Sequence, residues 1–166
     1  MYDKLTRSDI KKMEEEIEYR KLVVRPKAVE DVREAAAQGD RSENFEYYAA
    51  KKFNRQNNSR INYLEKMIKT ATIIDDSSEE DEVGINNTVT VEFLADGSTQ
   101  KFKIVTTIRC DSINGMITNE SPLGKALLHH HVGDVCHVKV NDNVQYDVKI
   151  LELENTDDEG DEIRSF

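Results

Sequence analysis

The chain has 166 residues, of which 37% are apolar and 34% are charged, and its formal net charge is −10. This composition suits one or two small domains, and no apolar stretch reaches the roughly 18 residues that a membrane helix requires. The negative charge argues against non-specific nucleic-acid binding by the chain as a whole. The first residues lack the apolar core of a signal peptide, so we expect a cytoplasmic protein.

Charge is distributed unevenly along the chain. The net charge is +3 over residues 1–74 and −13 over residues 75–166, an asymmetry that often separates two functional parts. We therefore predict a helical domain over residues 1–75, a second domain over 76–152 and an acidic tail over 153–166.

The first helical segment is expected to begin at Thr6, with Asp9 as its capping-box partner. Pro26 interrupts the apolar stripe that follows. Proline lacks a backbone donor and clashes with the preceding turn, so we predict a kink or a short break there. Gly39 is a natural stop for this segment.

A second, longer helix is predicted from Asn44 to Ala71. Its apolar residues recur every three or four positions, as in the seam of a coiled coil, with Asn57 as one polar member. The pattern indicates an antiparallel helical hairpin with a short connection. The predicted seam residues are Ala50, Phe53, Asn57, Ile61, Leu64, Ile68 and Ala71.

Three acids, Asp40, Glu43 and Glu46, surround the connection between the two helices. Acids at the end of a thin hairpin are able to reach into a site on another macromolecule. Asp40 and Glu43 also have the spacing of a capping box for the second helix. Glu46 is explained equally well by the helix dipole, which favours acids in the first turn.

Beyond residue 75 the pattern changes from helix to strand. Residues 75–82 read as a solvated acidic loop, and alternating apolar residues then predict a small, mostly antiparallel sheet. Residues 121–128 read as a turn that leads into a short helix. The fold class is therefore α+β. The acid-rich segment from Glu152 onward is expected to be frayed.

Residues 39–47, Gly-Asp-Arg-Ser-Glu-Asn-Phe-Glu-Tyr, with the Ala49-Ala50 pair after them, resemble the signature of the bacterial GreA/GreB family of transcript-cleavage factors. Further similarity lies at Arg25-Pro26, in the segment Ser121-Pro122-Leu123-Gly124 and at Gly133-Asp134. The resemblance extends from about residue 5 to about residue 151.

This resemblance implies an N-terminal coiled coil that enters the secondary channel of bacterial RNA polymerase, and a C-terminal domain of FKBP-like fold that docks at the channel rim. By residue match, Asp40 and Glu43 are the catalytic pair. They would support a Mg²⁺ ion shared with the polymerase during cleavage of the 3′ end of backtracked RNA. The resemblance also implies a monomer that has no nuclease activity of its own and binds no cofactor when isolated.

Basic residues follow the acidic segment. Lys51, Lys52 and Arg55, together with Arg60 and the Arg41 within the acidic segment, are candidates for contacts with RNA or polymerase. Lys51, Lys52, Arg55 and Arg60 are explained equally well as the solvated face of a helix. The docking motif implied for the C-terminal domain consists of Ser121, Pro122, Leu123 and Gly124.

Departures from the family pattern leave alternatives open. Arg41 replaces a leucine and is able to pair with the neighbouring acids, which favours, as the main alternative, an inhibitor that occupies the same channel without stimulating cleavage. The FKBP-like domain also raises a prolyl isomerase as a third hypothesis. His129, where the family usually has glycine, begins a run of three histidines, but consecutive side chains point apart and rarely share one metal ion.

Overall fold

A computed structural model describes residues 3–38 and 44–165 of the chain. The described chain divides into two units. One is helical and is built from residues 9–71; the other contains the sheet and is built from residues 4–8 and 72–165. In the described part of the chain, no helix combines the length and the apolar character needed to cross a membrane.

The first arm of the helical unit contains α1 (Arg7–Tyr19) and α2 (Arg25–Ala36). A π-helical segment, Arg20–Val24, joins them without leaving the helical path. Its wider turns place the break just before Pro26, at the start of α2, where the missing proline N–H costs little. The predicted break at proline is therefore confirmed, and its form is a π-helical segment.

The second arm is α3 (Phe45–Thr70), with Asn44 as its N-cap and Ala71 as its C-cap. Glu16, early in the first arm, is hydrogen-bonded to Arg60, late in the second arm. Ala35, near the end of the first arm, is hydrogen-bonded to Asn44, at the start of the second arm. The two arms therefore form an antiparallel hairpin, as predicted.

The apolar seam of the hairpin is shorter than predicted. Ile61 and Leu64 are buried, and so is Asn57, but Phe53 is 51% exposed. On the first arm, Met13, Ala28 and Ala35 are buried. Because the apolar contact is limited, polar contacts between the arms contribute more to their register.

The sheet unit contains a five-stranded sheet in the order β5-β4-β3-β7-β6. Its strands and helix are β3 (Thr88–Phe93), β4 (Thr99–Val105), β5 (Met116–Thr118), α4 (Pro122–Leu127), β6 (Val135–Lys139) and β7 (Gln145–Glu154). Two short strands, β1 (Lys4–Leu5) and β2 (Thr72–Ile73), pair in parallel within the same unit. The α+β class with a helical hairpin and a sheet is confirmed.

The five-stranded sheet is mostly antiparallel, as predicted, but one pair of strands is parallel. β5 pairs with β4 in parallel, and the other pairs of the five-stranded sheet are antiparallel. Two 3₁₀ turns, Thr107–Arg109 and Ser112–Asn114, carry the chain between the parallel strands. The sheet is mixed because this connection returns the chain to the same end of the sheet before β5 begins.

The core of the sheet unit lies between the sheet and α4. Alternating residues of β3, β6 and β7 point into it, and Leu123 and Leu127 of α4 cover them. Phe93, Phe102 and Tyr146 pack against this core, with Phe93 and Tyr146 ring centroids 5.8 Å apart. Cys136 is buried in the core and Cys110 is half-buried, and both are free thiols.

The expectation of a frayed tail is wrong. β7 extends to Glu154, and the following residues stay bound to the sheet unit: Asp161 accepts hydrogen bonds from Arg109 and Lys103. Local acidity suggested a solvated tail, but each of these contacts joins residues more than 50 positions apart. Such pairing leaves no local sequence signal.

Candidate functional site

The candidate site lies where the two helical arms meet. α2 ends at Ala36 and α3 begins at Phe45. Asn44 joins the arms with both ends of its amide: Oδ1 accepts from the backbone N–H of Tyr47 at 3.0 Å, and Nδ2 donates to the carbonyl of Ala35 at 2.6 Å. One side chain thus caps α3 and holds the end of α2 beside it.

The acids that were predicted to be catalytic lie in the sequence between the end of α2 and Asn44. Asp40 and Glu43, together with Arg41, lie outside the described residues. The structure does identify the N-cap of α3 as Asn44. The capping-box interpretation of Asp40 and Glu43 is therefore wrong for this helix. Glu46 occupies the first turn of α3, where an acid complements the helix dipole.

The predicted basic residues separate into two groups. Lys51, Lys52 and Arg55 are exposed, and Lys51 Nζ lies 5.5 Å from the centre of the Tyr47 ring. Arg60 is only 5% exposed. The first three remain candidates for contacts with phosphate, whereas Arg60 belongs to the interior of the hairpin.

Arg60 takes part in a polar layer that we define as Glu16, Arg20, Asn57 and Arg60. Arg60 donates to the Glu16 carboxylate through Nε at 2.8 Å and Nη2 at 3.2 Å. Arg20 donates to the same carboxylate and, through Nη1, to Asn57 Oδ1 at 2.9 Å. Asn57 is thus a buried polar member of the seam, as the seam pattern predicted.

The pKa of Glu16 reflects two opposing influences. Burial alone raises the pKa of this carboxyl, but hydrogen bonds from Arg60 and Arg20 and their positive charges outweigh it. The net effect lowers the pKa below its ordinary value of 4.5. Glu16 therefore stays ionised inside the hairpin near neutral pH.

Phe45 and Tyr48, near the acidic segment, have large exposed aromatic side chains. Phe45 is 87% exposed and Tyr48 is 52% exposed, and the Tyr47 and Tyr48 rings meet edge to face at 5.6 Å. The exposure of the Phe45 side chain, at the first position of α3, was not expected from the apolar pattern of the sequence.

The segment Ser121-Pro122-Leu123-Gly124 builds the start of α4. Ser121 Oγ accepts from Gly124 N–H at 3.0 Å and donates to the Thr118 carbonyl at 2.7 Å. A Cβ on Gly124 would lie 2.0 Å from that same carbonyl oxygen, so glycine is required by space. Leu123 is buried in the core, while Pro122 is exposed.

The three adjacent histidines do not converge. His129 Nδ1 lies 2.6 Å from Glu82 Oε1, His130 Nδ1 lies 3.1 Å from the Leu128 carbonyl, and His131 contacts Asp134. His129 has φ +67°, a conformation that favours glycine. Among the described residues, no group of three or more potential ligands is arranged to hold a metal ion.

The C-terminal tail is held by ion pairs between Asp161 and two basic side chains. Asp161 Oδ2 lies 2.9 Å from Arg109 Nη1 and 2.9 Å from Lys103 Nζ, and the Arg109 side chain is fully buried. Arg164 N–H donates to the Ile108 carbonyl at 2.9 Å. The tail therefore closes over the 3₁₀ turn at Thr107–Arg109.

An antiparallel helical hairpin followed in the chain by a small mixed sheet defines a two-unit α+β protein. Comparison with known proteins agrees with this class. The family model described as "Transcription elongation factor, N-terminal" matches residues 4–73, and the one described as "Transcription elongation factor, GreA/GreB, C-term" matches residues 77–155. The chain belongs to the GreA/GreB family of transcription elongation factors.

Individual relatives show the same similarity over nearly the whole chain. Transcription elongation factor GreA of Streptococcus gordonii is 40% identical over 153 residues, 92% of this chain and 95% of the relative. That of Staphylococcus carnosus is 37% identical over 151 residues, 91% and 94% of the two chains. The solved GreA factor homolog 1 (Gfh1) of Thermus thermophilus is 23% identical, covers 93% of this chain and 100% of its own, and has a TM-score of 0.44.

Proposed function

We propose that this protein is a transcription elongation factor that enters the secondary channel of bacterial RNA polymerase and stimulates cleavage of the 3′ end of backtracked RNA. The observation that carries this proposal is the double hydrogen bond of Asn44. It holds the two arms together at the ends of the segment that contains Asp40 and Glu43. It also supplies the N-cap of α3, a role for which neither acid is then needed.

The dimensions of the hairpin support the proposal. The 26 residues of α3 correspond to about 39 Å at the α-helical rise of 1.5 Å per residue. An arm of this length suits a hairpin that enters a channel. Lys51, Lys52 and Arg55 are exposed on α3 and follow the acids in the sequence, and their charge suits contact with RNA phosphates or the polymerase.

The donor set suits a shared magnesium ion. Carboxylate oxygens are the ligands that Mg²⁺ prefers, but two carboxylates fill only part of its octahedral shell. Waters and oxygen ligands of the polymerase and the RNA would complete the shell. When bound there, Mg²⁺ supplies charge stabilisation for the displaced oxygens of the phosphodiester.

The two acids have separate roles in this proposal. Asp40 contributes an oxygen ligand, directly or through a water. Glu43 accepts a hydrogen bond from the attacking water, orients it and takes up its proton. The reaction belongs to the polymerase, because this chain supplies only part of the site.

The sheet unit is proposed to dock at the rim of the channel. Pro122 is exposed at the start of α4, and Ser121 is half-buried beside it. Leu123 and Gly124 support docking indirectly, since one fills the core and the other permits the close approach to Thr118.

The test is a backtracked elongation complex with radiolabelled RNA and Mg²⁺. The wild-type protein should release short 3′ fragments, and Asp40→Ala with Glu43→Ala should abolish their release. Glu46→Ala, a control in the first turn of α3, should cleave nearly as well as wild type. Protein and RNA without polymerase should give no cleavage.

Two outcomes would refute the cleavage assignment. One is equal cleavage by the wild type and the double variant. The other is inhibition of elongation by the wild type with no fragments, which would instead establish the channel-blocking alternative suggested by Arg41.

A further inference from the structure

An aromatic ring is exposed at the very start of α3. Phe45 is the first residue of this helix, directly after the N-cap Asn44, and its side chain is 87% exposed. A single exposed apolar residue is common on protein surfaces and means little alone. Phe45, however, follows Glu43 by only two positions in the sequence. Its surroundings on the helix therefore decide whether the ring has a partner.

Phe45 belongs to a helix face that combines aromatic and basic side chains. Phe45, Tyr48, Lys52 and Arg55 recur at intervals of three, four and three residues, which places them along one side of α3. All four are exposed. The residues buried in the seam of the hairpin lie on the other side of the helix. We call these four residues the outer face of α3.

The charge of α3 is unlike that of the chain as a whole. From Tyr47 to Leu64 the helix carries four basic residues and no acid, whereas the net charge of the chain is −10. Arg60 is buried, and the other three basic residues are exposed. The solvent-facing charges of this segment are thus all positive, and they favour a polyanionic partner such as a phosphate backbone.

The second ring of the outer face is supported by its neighbour. The rings of Tyr47 and Tyr48 meet edge to face with their centroids 5.6 Å apart, and Lys51 Nζ lies 5.5 Å from the centre of the Tyr47 ring. The backbone N–H of Tyr47 donates to Asn44 Oδ1. A ring that is already positioned loses less conformational entropy when a planar partner stacks on it.

Exposed rings next to basic side chains suit single-stranded nucleic acid. Aromatic rings stack on unpaired bases, and basic side chains pair with the phosphates between them. An apolar pocket on a protein would match Phe45 but would leave the cations of the same face unexplained.

We propose that Phe45 stacks on an unpaired base in the displaced 3′ segment of backtracked RNA, with Tyr48 as a second stacking surface. This inference rests on the proposed function, which brings unpaired RNA to Asp40 and Glu43. Two residues of chain span at most about 7 Å, so the Phe45 ring would lie beside the RNA on which Glu43 acts.

Stacking would make Phe45 a determinant of RNA specificity. A purine presents a larger aromatic face than a pyrimidine, and differences in stacking strength give single-strand-binding proteins their modest base preferences. The factor should therefore act at lower concentration on complexes whose displaced bases are purines.

The test uses backtracked complexes that are identical except for the displaced nucleotides, which are purines in one set and pyrimidines in the other. Cleavage rates at increasing factor concentration give the maximal rate and the half-saturating concentration. On purine complexes, Phe45→Ala should raise the half-saturating concentration by about tenfold, within the range that one base–aromatic stack contributes. On pyrimidine complexes the increase should be smaller. The maximal rate should stay near wild type, because both acids are retained.

Matched variants separate stacking from apolar contact. Phe45→Trp keeps an aromatic ring and should keep the purine preference, whereas Phe45→Leu keeps apolar bulk without a ring and should behave like Phe45→Ala. Phe53→Ala removes another exposed phenylalanine of α3, one that lies off the outer face, and should show the wild-type base dependence. Since the Phe45 side chain is 87% exposed, its substitutions should leave the melting temperature unchanged.

A second measurement detects stacking without cleavage. The fluorescent base 2-aminopurine is placed at the displaced 3′ position, and its emission falls when it stacks on an aromatic ring. A factor that carries Asp40→Ala with Glu43→Ala leaves the RNA intact and should quench this emission. Adding Phe45→Leu to the same factor should abolish the quenching.

The proposal is overturned if Phe45→Ala affects purine and pyrimidine complexes equally, or if Phe45→Leu behaves as wild type. Either result would indicate contact with an apolar surface of the polymerase. Unchanged 2-aminopurine emission while the factor is bound would also overturn it. If the wild type releases no fragments, the proposed function fails instead, and the fluorescence measurement still decides whether Phe45 stacks on RNA.

Discussion

Arg60 of the second helical arm donates two hydrogen bonds to the carboxylate of Glu16 in the first arm, through Nε at 2.8 Å and Nη2 at 3.2 Å. The Arg60 side chain is 6% exposed and that of Glu16 is 24% exposed. A largely buried, bidentate pair costs desolvation of both charges, but it allows one geometry. It therefore determines the register of the hairpin that carries Asp40 and Glu43.

Glu16→Gln should destabilise the protein by about 2 kcal/mol at neutral pH, because two arginines would lose a charged partner in a partly buried site. The folded-state pKa of Glu16 lies below its ordinary value of 4.5. Its stabilisation is thus present above that value and is lost as the pH falls through the folded-state pKa. Urea unfolding across acid pH should show a shallower loss of stability for Glu16→Gln than for wild type, with the exposed Glu15→Gln as control.

Asn44→Ala should lower stability by about 1–2 kcal/mol, since it removes the cap of α3 and the bond to the Ala35 carbonyl. Cleavage should fall further than stability explains, because the arms would no longer be joined beside the acids. Thermal unfolding and the backtracked-complex assay measure the two effects. Asn62→Ala, on the exposed face of α3, should affect neither, and normal cleavage by Asn44→Ala would contradict the proposed role.

Asp161→Asn should destabilise the sheet unit by about 3 kcal/mol, because it removes a carboxylate that contacts the fully buried side chain of Arg109. Chemical denaturation followed by circular dichroism measures this change. The adjacent Glu162→Gln is exposed and should change stability by less than about 0.5 kcal/mol. Equal effects of the two substitutions would mean that the tail contributes little.

Gly124→Ala should destabilise the sheet unit by about 1–3 kcal/mol or more, since the new Cβ would meet the Thr118 carbonyl oxygen at 2.0 Å. That oxygen belongs to the backbone at the end of β5 and cannot rotate away. The melting temperature measures the effect. Lys125→Ala, the next residue and exposed, should melt near wild type, and an unchanged melting temperature for Gly124→Ala would show that α4 shifts freely.

Arg41→Leu should lower the Mg²⁺ concentration needed for half-maximal cleavage by about threefold, because it removes a positive charge next to the proposed metal ligands. Cleavage rates over a Mg²⁺ titration in the backtracked complex measure this. Arg41→Lys keeps the charge and should resemble wild type. Identical Mg²⁺ dependence for all three proteins would show that Arg41 does not weaken metal binding.

The local sequence predicted the helices well. α3 was expected from Asn44 to Ala71 and is observed from Phe45 to Thr70, with those two residues as its caps. The interruption before Pro26 was also expected. Such features follow from backbone donors, caps and apolar spacing within one turn or two, and all of these are visible in a short stretch of sequence.

Contacts between distant residues were not predictable in the same way. Arg60 was grouped with the exposed basic residues because its neighbours Lys51, Lys52 and Arg55 are basic, yet its partner Glu16 lies 44 positions away. The tail was expected to fray because its own residues are acidic. Its ordering comes from Lys103 and Arg109, which precede Asp161 by more than 50 positions.

By itself, the sequence determined the two-part organisation, the helical hairpin and the family, because periodicity, capping residues and motif spacing are local properties. The tertiary structure alone decided which charges are buried, that β5 runs parallel to β4, and that the tail is bound to the sheet unit. Burial and pairing depend on which distant segments meet, and that information appears only when the chain is folded.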